Sequence, residues 1–261
     1  MGDLYFVWYS FVAGLLASVA CGFGAIPLFF KKLDVKENIG IGYSFAGGLM
    51  FAASVYNLLL PALSLGEANA LKLIPVVKTL IGLLLGAVFT AFVQKWLKSK
   101  DESDSLINSL GGKTGALILI AMTFHSIPEG VAVGVGFASE VHNAAYHDLG
   151  YYIALAISIH NIPEGLAVAL PLRASGASIF KCFFFAFLTS LPQAIAAVPA
   201  SLLVWLFEPL MIPFFGFAAG AMIYLVVVEL IPEGLEHNSR ETIASMFMFG
   251  FSLMILVQVI L

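Results

Sequence analysis

Eight apolar stretches, each long enough to cross a lipid bilayer, constrain this chain more than any other feature of its sequence. A helix needs about 20 mostly apolar residues to cross the ~30 Å hydrocarbon layer. The stretches cover residues 4–30, 39–65, 73–97, 114–139, 149–172, 178–207, 210–231 and 242–261. They lack the alternation of apolar and polar residues that barrel strands require. The sequence therefore predicts an all-α integral membrane protein, with a single eight-span domain over residues 1–261.

The composition leaves no room for a water-facing surface around these stretches. Of the 261 residues, 61% are hydrophobic and 11% are charged, whereas a soluble domain is nearer half apolar and a quarter charged. Soluble enzymes, nucleic-acid-binding proteins and disordered chains are excluded on this ground. The net charge of −4 also argues against nucleic acid as a partner. We expect the lipid bilayer to surround most of the chain.

The Lys and Arg residues predict which way the spans run. Ten of the twelve lie in or beside the connections after stretches one, three, five and seven, which share one side of the membrane. They are Lys31, Lys32, Lys36, Lys95, Lys98, Lys100, Lys113, Arg173, Lys181 and Arg240. By the positive-inside rule that side is cytoplasmic, so both termini are extracytoplasmic. The longest polar connection, residues 98–113, is then a cytoplasmic loop.

Two adjacent spans contain the same short motif near their centres. The fourth reads His125-Ser-Ile-Pro-Glu129-Gly130, and the fifth reads His160-Asn-Ile-Pro-Glu164-Gly165. Adjacent spans joined by a short connection run antiparallel, so the two motifs are expected to lie level at the midplane of the bilayer. Polar groups at that depth normally face the interior of the bundle, where they mark functional sites.

The residue types and their spacing favour a metal site. His and Glu four positions apart project from one helix face, one turn apart. The proline between them removes a backbone hydrogen bond and kinks the helix, and the following glycine permits close approach. Two copies offer two imidazoles and two carboxylates, which suit Zn²⁺, Fe²⁺, Mn²⁺, Co²⁺ or Cd²⁺ better than alkali cations. The alternative without a metal is that the His–Glu pairs are hydrogen bonds that hold helices together.

The paired motifs resemble those of the ZIP (Zrt/Irt-like) family of divalent-metal transporters, and the resemblance covers nearly the whole chain. Supporting segments lie in the second, sixth and seventh spans: Phe45-Ala-Gly-Gly-Leu-Met50, Leu191-Pro-Gln193, Phe217-Ala-Ala-Gly-Ala-Met222 and Glu229-Leu-Ile-Pro232. Because the long His-rich cytoplasmic loop of many members is missing, the sequence is most similar to the GufA-like or short bacterial branch.

The resemblance implies that the two motifs bind the transported ion. The ligands carried over are His125, Glu129, His160 and Glu164, with Met50 as a fifth, soft ligand. The ion is the substrate, and no catalytic cofactor is expected.

Some family members hold a second metal ion beside the first, and the corresponding ligand positions are Ser126, Asn161 and Gln193 in this chain. Ser126 stands where the family usually has Asn, and Gln193 replaces a carboxylate with a neutral amide. Because such a second site has lost charge and a ligand, we expect one high-affinity metal ion.

The resemblance further implies transport into the cytoplasm by alternating access, with Zn²⁺ as the first expectation, and no enzymatic activity. It also implies a homodimer, for which Gly82-x-x-x-Gly86 and Gly216-x-x-x-Gly220 would provide close helix contacts, although packing within one chain would use them equally well. A cell or inner membrane is the expected location, with an organelle membrane as the alternative.

Three other functions are compatible with the same residues. Carboxylates and histidines on facing helices also build di-metal oxidase centres, so a membrane-embedded metalloenzyme is one alternative. A proton-coupled carrier of an organic solute would use the His–Glu pairs as a relay. In the third alternative the metal ion is structural, and its removal would unfold the bundle.

Overall fold

Eight membrane-spanning segments make up the computed structural model, which describes residues 4–29, 35–64, 73–100, 105–142 and 148–260. The described residues form helices and no strand, which confirms the predicted fold class. We number the segments spans 1 to 8: Tyr5–Phe29, Asn38–Leu63, Leu73–Lys98, Gly112–Ser139, Leu149–Ala174, Ile179–Leu202, Val204–His237 and Arg240–Ile260.

Six of the spans are built on one long α-helix each. These helices are Tyr5–Phe23, Leu73–Lys98, Gly112–His142, Leu149–Ala174, Ile179–Leu202 and Arg240–Ile260. Span 1 continues after a turn into the 3₁₀-helix Ile26–Phe29. The connection between spans 3 and 4 contains a short helix, Ser105–Ser109. The prolines of the two motifs, Pro128 and Pro163, lie inside the helices of spans 4 and 5.

Spans 2 and 7 are composite, and each contains a π-helical segment. Span 2 consists of the α-helix Val35–Ala53, the π-helix Ser54–Leu59 and the α-helix Leu60–Ser64. Span 7 consists of Val204–Phe207, the 3₁₀-helix Glu208–Leu210, the α-helix Met211–Leu225, the π-helix Val226–Leu230 and the α-helix Ile231–His237. A π-helical turn contains an extra residue relative to an α-helical turn, and such turns are frequent at functional sites.

Span 6 ends earlier than the apolar stretch 178–207 suggests. Its helix stops at Leu202, because Leu203 leaves the helical region with φ −117° and ψ 44°. Residues Val204–Phe207 then form a separate helical turn, which is the first part of span 7. All of these residues are apolar except for the following Glu208, so hydropathy alone does not reveal where the backbone turns.

The spans pack as a central group and a peripheral group. Spans 1, 4, 5 and 6 contact one another, whereas span 2 packs along spans 7 and 8 and span 3 along span 7. Span 5 also contacts span 2, and span 4 also contacts spans 3 and 7. In span 4, 78% of the apolar window is buried, against 28% in span 3 and 17% in span 8. Span 4 is therefore central, and spans 3 and 8 face outward.

The two GxxxG motifs contact each other within the chain. A Cβ atom at Gly82 or Gly86 of span 3 would collide with the backbone of span 7, and one at Gly216 or Gly220 would collide with the backbone of span 3. Small residues at such positions allow the close helix approach that drives association in membranes. The sequence left two uses open for these glycines, a dimer contact and packing within one chain. In the structure they pack spans 3 and 7 of one chain against each other.

Some residues behind the predicted orientation lie outside the described part of the chain. They are Lys31, Lys32 and Lys72, together with residues 101–104 of the connection 98–113. The orientation of the spans stays a prediction.

Candidate metal site

The four His and Glu residues of the repeated motif come together in the interior of the bundle. His125 and Glu129 lie on span 4, and His160 and Glu164 lie on span 5. One potential ligand atom from each residue lies within 4.8 Å of those of the other three. All four side chains are at most 2% exposed. The repeat therefore produces one shared cluster near the middle of both spans.

Glu129 is the centre of this cluster. Its Oε1 atom lies 3.0 Å from His125 Nε2 and 2.5 Å from His160 Nε2, so it accepts hydrogen bonds from both imidazoles. Glu164 is held less closely, because its Oε1 atom lies 3.2 Å from His125 Nε2 without the geometry of a hydrogen bond. Glu129 thus contacts both spans, whereas Glu164 approaches one imidazole.

Several polar atoms of the cluster are buried without a partner. Among the described residues, nothing forms a hydrogen bond with Glu129 Oε2, Glu164 Oε1 or His125 Nδ1. Burial of an unpaired carboxylate is unfavourable unless a cation or a hydrogen bond compensates it. A divalent cation would compensate two carboxylates at once, and imidazole nitrogen with carboxylate oxygen is a donor set that fits Zn²⁺ and its neighbours.

Asn161 and Gln193 form a polar network beside the cluster. Asn161 Nδ2 donates to Gln193 Oε1 at 3.0 Å, to Ser190 Oγ at 3.1 Å and to the Ala17 carbonyl at 3.0 Å. Ser190 Oγ also donates to Gln193 Oε1 at 3.0 Å. The network joins span 5 to spans 1 and 6, so these amides have a structural partner whether or not they contact an ion.

Ser126 and Met50 occupy different environments from the four central residues. The Ser126 hydroxyl donates to the carbonyls of Met122 and Thr189, at 2.9 and 3.0 Å, which ties span 4 to span 6. Met50 is fully buried in the main apolar core, just before the π-helical segment of span 2. Its assignment as a fifth ligand stays a prediction.

The glycine of each motif lies against the backbone of a neighbouring span. A Cβ atom at Gly130 would collide with the carbonyl of Gln193 in span 6. One at Gly165 would collide with the carbonyl of Cys21 in span 1. Since each glutamate immediately precedes its glycine, these contacts fix the height of Glu129 and Glu164 relative to spans 6 and 1.

One polar residue at the cluster was not predicted from the sequence. Asn57, in the π-helical segment of span 2, places its Nδ2 atom 2.9 Å from His160 Nδ1. No spacing rule singles it out, because the π-helical segment interrupts the α-helical spacing between Met50 and Asn57. A single amide in an apolar span carried too little information to be singled out.

Comparison with known proteins identifies relatives over most of the chain. Residues 97–258 match the family described as ZIP Zinc transporter. Zinc transporter GufA of Myxococcus xanthus is 33% identical over 254 residues, which cover 93% of this chain and 94% of that protein. Zinc transporter ZIP11 of Xenopus tropicalis is 29% identical over 327 aligned residues, which cover 97% of each chain.

A protein of Arabidopsis thaliana is 35% identical over 233 residues, which cover 88% of this chain and 35% of the longer plant protein. The relatives therefore include proteins of this length and at least one much longer protein. The apolar spans and these relatives together make the chain a multi-pass integral membrane protein. Since the family match covers more than half of the sequence and GufA aligns along almost its entire length, the chain belongs to the ZIP zinc transporter family.

Proposed function

We propose that this protein carries Zn²⁺, or a related divalent transition-metal ion, across the membrane, and that the ion binds His125, Glu129, His160 and Glu164 on its way. The observation that carries the proposal is the convergence of these four ligands within 4.8 Å inside the bundle. The names of the relatives GufA and ZIP11 support zinc as the ion.

The local electrostatics favour a divalent over a monovalent cation. Two buried carboxylates carry two negative charges when ionised, and a divalent ion neutralises both. A charged side chain at the bilayer centre costs roughly 2.5–3.5 kcal/mol on insertion scales. Neutralisation of the two carboxylates by one divalent ion is therefore strongly favourable at this depth. Imidazole nitrogens add a preference for transition metals over Mg²⁺ and Ca²⁺, which favour oxygen ligands.

Transport into the cytoplasm by alternating access is part of the proposal. The distribution of Lys and Arg supports cytoplasmic connections after spans 1, 3, 5 and 7, and therefore extracytoplasmic termini. The grouping of spans 1, 4, 5 and 6 on one side and spans 2, 3, 7 and 8 on the other supports movement of one group of helices against the other. A cell or inner membrane is the proposed location.

A single ion per chain is proposed, with Met50 as an additional ligand. The neutral amide of Gln193 supports one ion rather than two, because its side-chain oxygen carries no charge and already accepts hydrogen bonds from Asn161 and Ser190. Ser126 supports it as well, because its hydroxyl donates to a carbonyl of span 6. Metal analysis of the purified protein after equilibrium dialysis measures the ratio, and two ions at comparable affinity would contradict the proposal.

The decisive experiment is ⁶⁵Zn uptake into proteoliposomes by the intact protein and by the double variant Glu129→Ala/Glu164→Ala. We expect saturable uptake by the intact protein and none by the double variant. The matched control is Glu208→Ala/Glu241→Ala, which removes two exposed carboxylates distant in sequence from the motifs and should leave uptake unchanged. Competition by Fe²⁺, Mn²⁺ and Cd²⁺ in the same assay ranks the substrates.

Uptake that survives in a folded double variant would contradict the proposed site. Stoichiometric metal binding without flux in either protein would favour the metalloenzyme or the structural metal ion instead. The rival carrier of an organic solute predicts uptake that is independent of divalent metal. A homodimer is proposed as well; because the GxxxG motifs of spans 3 and 7 are buried against each other, it has to use other faces. The mass of the detergent-solubilised protein tests it.

A further inference from the structure

The two imidazoles of the cluster differ in how firmly they are held. His160 is contacted on both ring nitrogens, with Nε2 2.5 Å from Glu129 Oε1 and Nδ1 2.9 Å from Asn57 Nδ2. His125 is contacted at Nε2, while its Nδ1 atom has no hydrogen-bond partner among the described residues. The orientation of the His160 ring is therefore fixed from two sides by hydrogen bonds.

The partner that makes this difference comes from outside the central group of spans. Asn57 lies in span 2, which packs along span 8, and it reaches His160 of span 5 from there. It stands at the fourth position of the π-helical segment Ser54–Leu59, with the exposed Tyr56 and the buried Leu58 on either side. The π-helical turn sets the face from which the amide approaches the imidazole.

With the Asn57 amide in this orientation, the hydrogen bonds require one tautomer of His160. Since the amide Nδ2 can act only as a donor, His160 Nδ1 accepts and the ring proton is on Nε2, which donates to Glu129 Oε1. A metal ion needs the lone pair of Nε2, so a neutral imidazole that binds it through this atom carries its proton on Nδ1. That proton then needs an acceptor, and the Asn57 side chain supplies one when its amide rotates by about 180° and presents Oδ1.

We propose that Asn57 is a positioning residue for metal binding, which orients His160 and supports both of its tautomers through the two ends of one amide. This inference rests on the proposed function, because it takes His160 as a ligand of the transported ion. Hydrogen-bond partners of metal-binding histidines fix the ring orientation and the tautomer, and their loss typically lowers metal affinity about 10–100-fold. Asn57 itself does not bind the ion.

Two substitutions that keep the branching of the side chain separate this role from simple packing. Asn57→Leu removes both ends of the amide and keeps the number and branching of side-chain heavy atoms, whereas Asn57→Asp keeps an acceptor for the Nδ1 proton of the metal-bound ring. We expect the Zn²⁺ dissociation constant to rise about tenfold or more in Asn57→Leu and to stay within about threefold in Asn57→Asp. The constant is measured on the detergent-solubilised protein by competition with a chromophoric chelator.

A packing role would reverse this order, because an apolar side chain is tolerated inside a bundle and a carboxylate is not. Wild-type affinity in Asn57→Leu together with weakened affinity in Asn57→Asp would therefore overturn the proposal. The matched control is Tyr56→Phe in the same π-helical segment, which removes only the hydroxyl of an exposed side chain and should leave the dissociation constant unchanged. Co²⁺ absorption in the visible range gives a second readout, and we expect Asn57→Leu to shift its ligand-field bands.

A coupling experiment keeps the test valid if Asn57→Leu also affects folding. We expect Asn57→Leu to change the Zn²⁺ affinity in a His125→Ala background and to have no further effect in a His160→Ala background. Equal effects in the two backgrounds would overturn the proposal, since they would show that Asn57 does not act through His160.

Failure of this inference is distinguishable from failure of the proposed function. If ⁶⁵Zn uptake is lost in Glu129→Ala/Glu164→Ala while Asn57→Leu binds Zn²⁺ like the intact protein, the transport site stands and the inference is wrong. If the Glu129→Ala/Glu164→Ala variant binds and transports Zn²⁺ normally, the proposed function is wrong at its site, whatever the Asn57 variants do.

Discussion

The two copies of the His–x–x–Pro–Glu–Gly motif have the same local design and different surroundings. In both, the glycine lies against a neighbouring backbone, at Gln193 for Gly130 and at Cys21 for Gly165. The copies differ at histidine, because His160 Nδ1 is held by Asn57 and His125 Nδ1 has no partner among the described residues.

The copies also differ at the residue that follows histidine. In span 4 this residue is Ser126, which donates to two backbone carbonyls. In span 5 it is Asn161, which donates to two side chains and one carbonyl. An internal repeat therefore sets which groups can bind a metal ion, and the neighbouring spans set how rigidly each group is held.

The largest expected effects are on Zn²⁺ affinity, and they differ between the two glutamates. Glu129 Oε1 contacts both imidazoles, whereas Glu164 Oε1 approaches His125 without a hydrogen bond. We expect Glu129→Gln to weaken Zn²⁺ binding by more than about a hundredfold, because the loss of a ligand should exceed the effect of losing a hydrogen-bond partner of a ligand. We expect Glu164→Gln to weaken Zn²⁺ binding less. Titration of each purified variant with Zn²⁺ measures the difference. A stronger effect of Glu164→Gln would show that the metal-bound cluster is centred on span 5.

The glycines of the two motifs provide the next comparison. Both Gly165→Ala and Gly130→Ala place a methyl group against backbone atoms, which cannot move aside as a side chain would. We expect each to destabilise the bundle by roughly 1–3 kcal/mol, measured as a lower midpoint of thermal unfolding in detergent. Gly47→Ala is the matched control, since its Cβ would stand 3.4 Å from a Val226 side-chain atom, an ordinary contact. An unchanged midpoint for Gly165→Ala would contradict the tight packing of spans 1 and 5.

The smallest expected effect concerns the residues that follow histidine in the two motifs, Asn161 and Ser126, and is a difference in the free energy of unfolding. Asn161→Ala removes the amide that contacts Gln193, Ser190 and the Ala17 carbonyl, so we expect a loss of about 2 kcal/mol in the free energy of unfolding. Ser126→Ala removes one side-chain donor to carbonyls, one of them in its own helix, and should cost about 0.5 kcal/mol. Chemical denaturation of the detergent-solubilised variants measures both values. Equal losses would mean that the network around Asn161 contributes no more than a single hydroxyl.

Hydropathy and the repeated motif predicted the features of the molecule that depend on residue type. Each of the eight spans is apolar over about 20 residues, and His125, Glu129, His160 and Glu164 are polar at the centre of such spans, so both signals are local. The end of span 6 at Leu202 was not predictable in this way, because the backbone turns between two apolar helices.

Asn57 is a second example of a feature that local sequence patterns did not predict. Its contact with His160 joins residues more than a hundred positions apart and depends on a π-helical turn, which has no signature in an apolar stretch. The motif also did not reveal that Asn161 and Gln193 contact each other, because this pairing depends on how span 5 packs against span 6. Contacts between spans required the structure.

The hydrogen bonds between His and Glu in the cluster have a consequence for turnover. They pair Glu129 with both imidazoles, so an ion that binds these three residues replaces existing hydrogen bonds and its net affinity is lower than it would be for unpaired ligands. Passage through a membrane requires binding that is favourable enough for an ion to enter and weak enough for it to leave. The same hydrogen bonds reduce the cost of burying the Glu129 carboxylate at the bilayer centre, where a charge is unfavourable. The cluster is thus suited to repeated cycles of loading and release and poorly suited to metal storage.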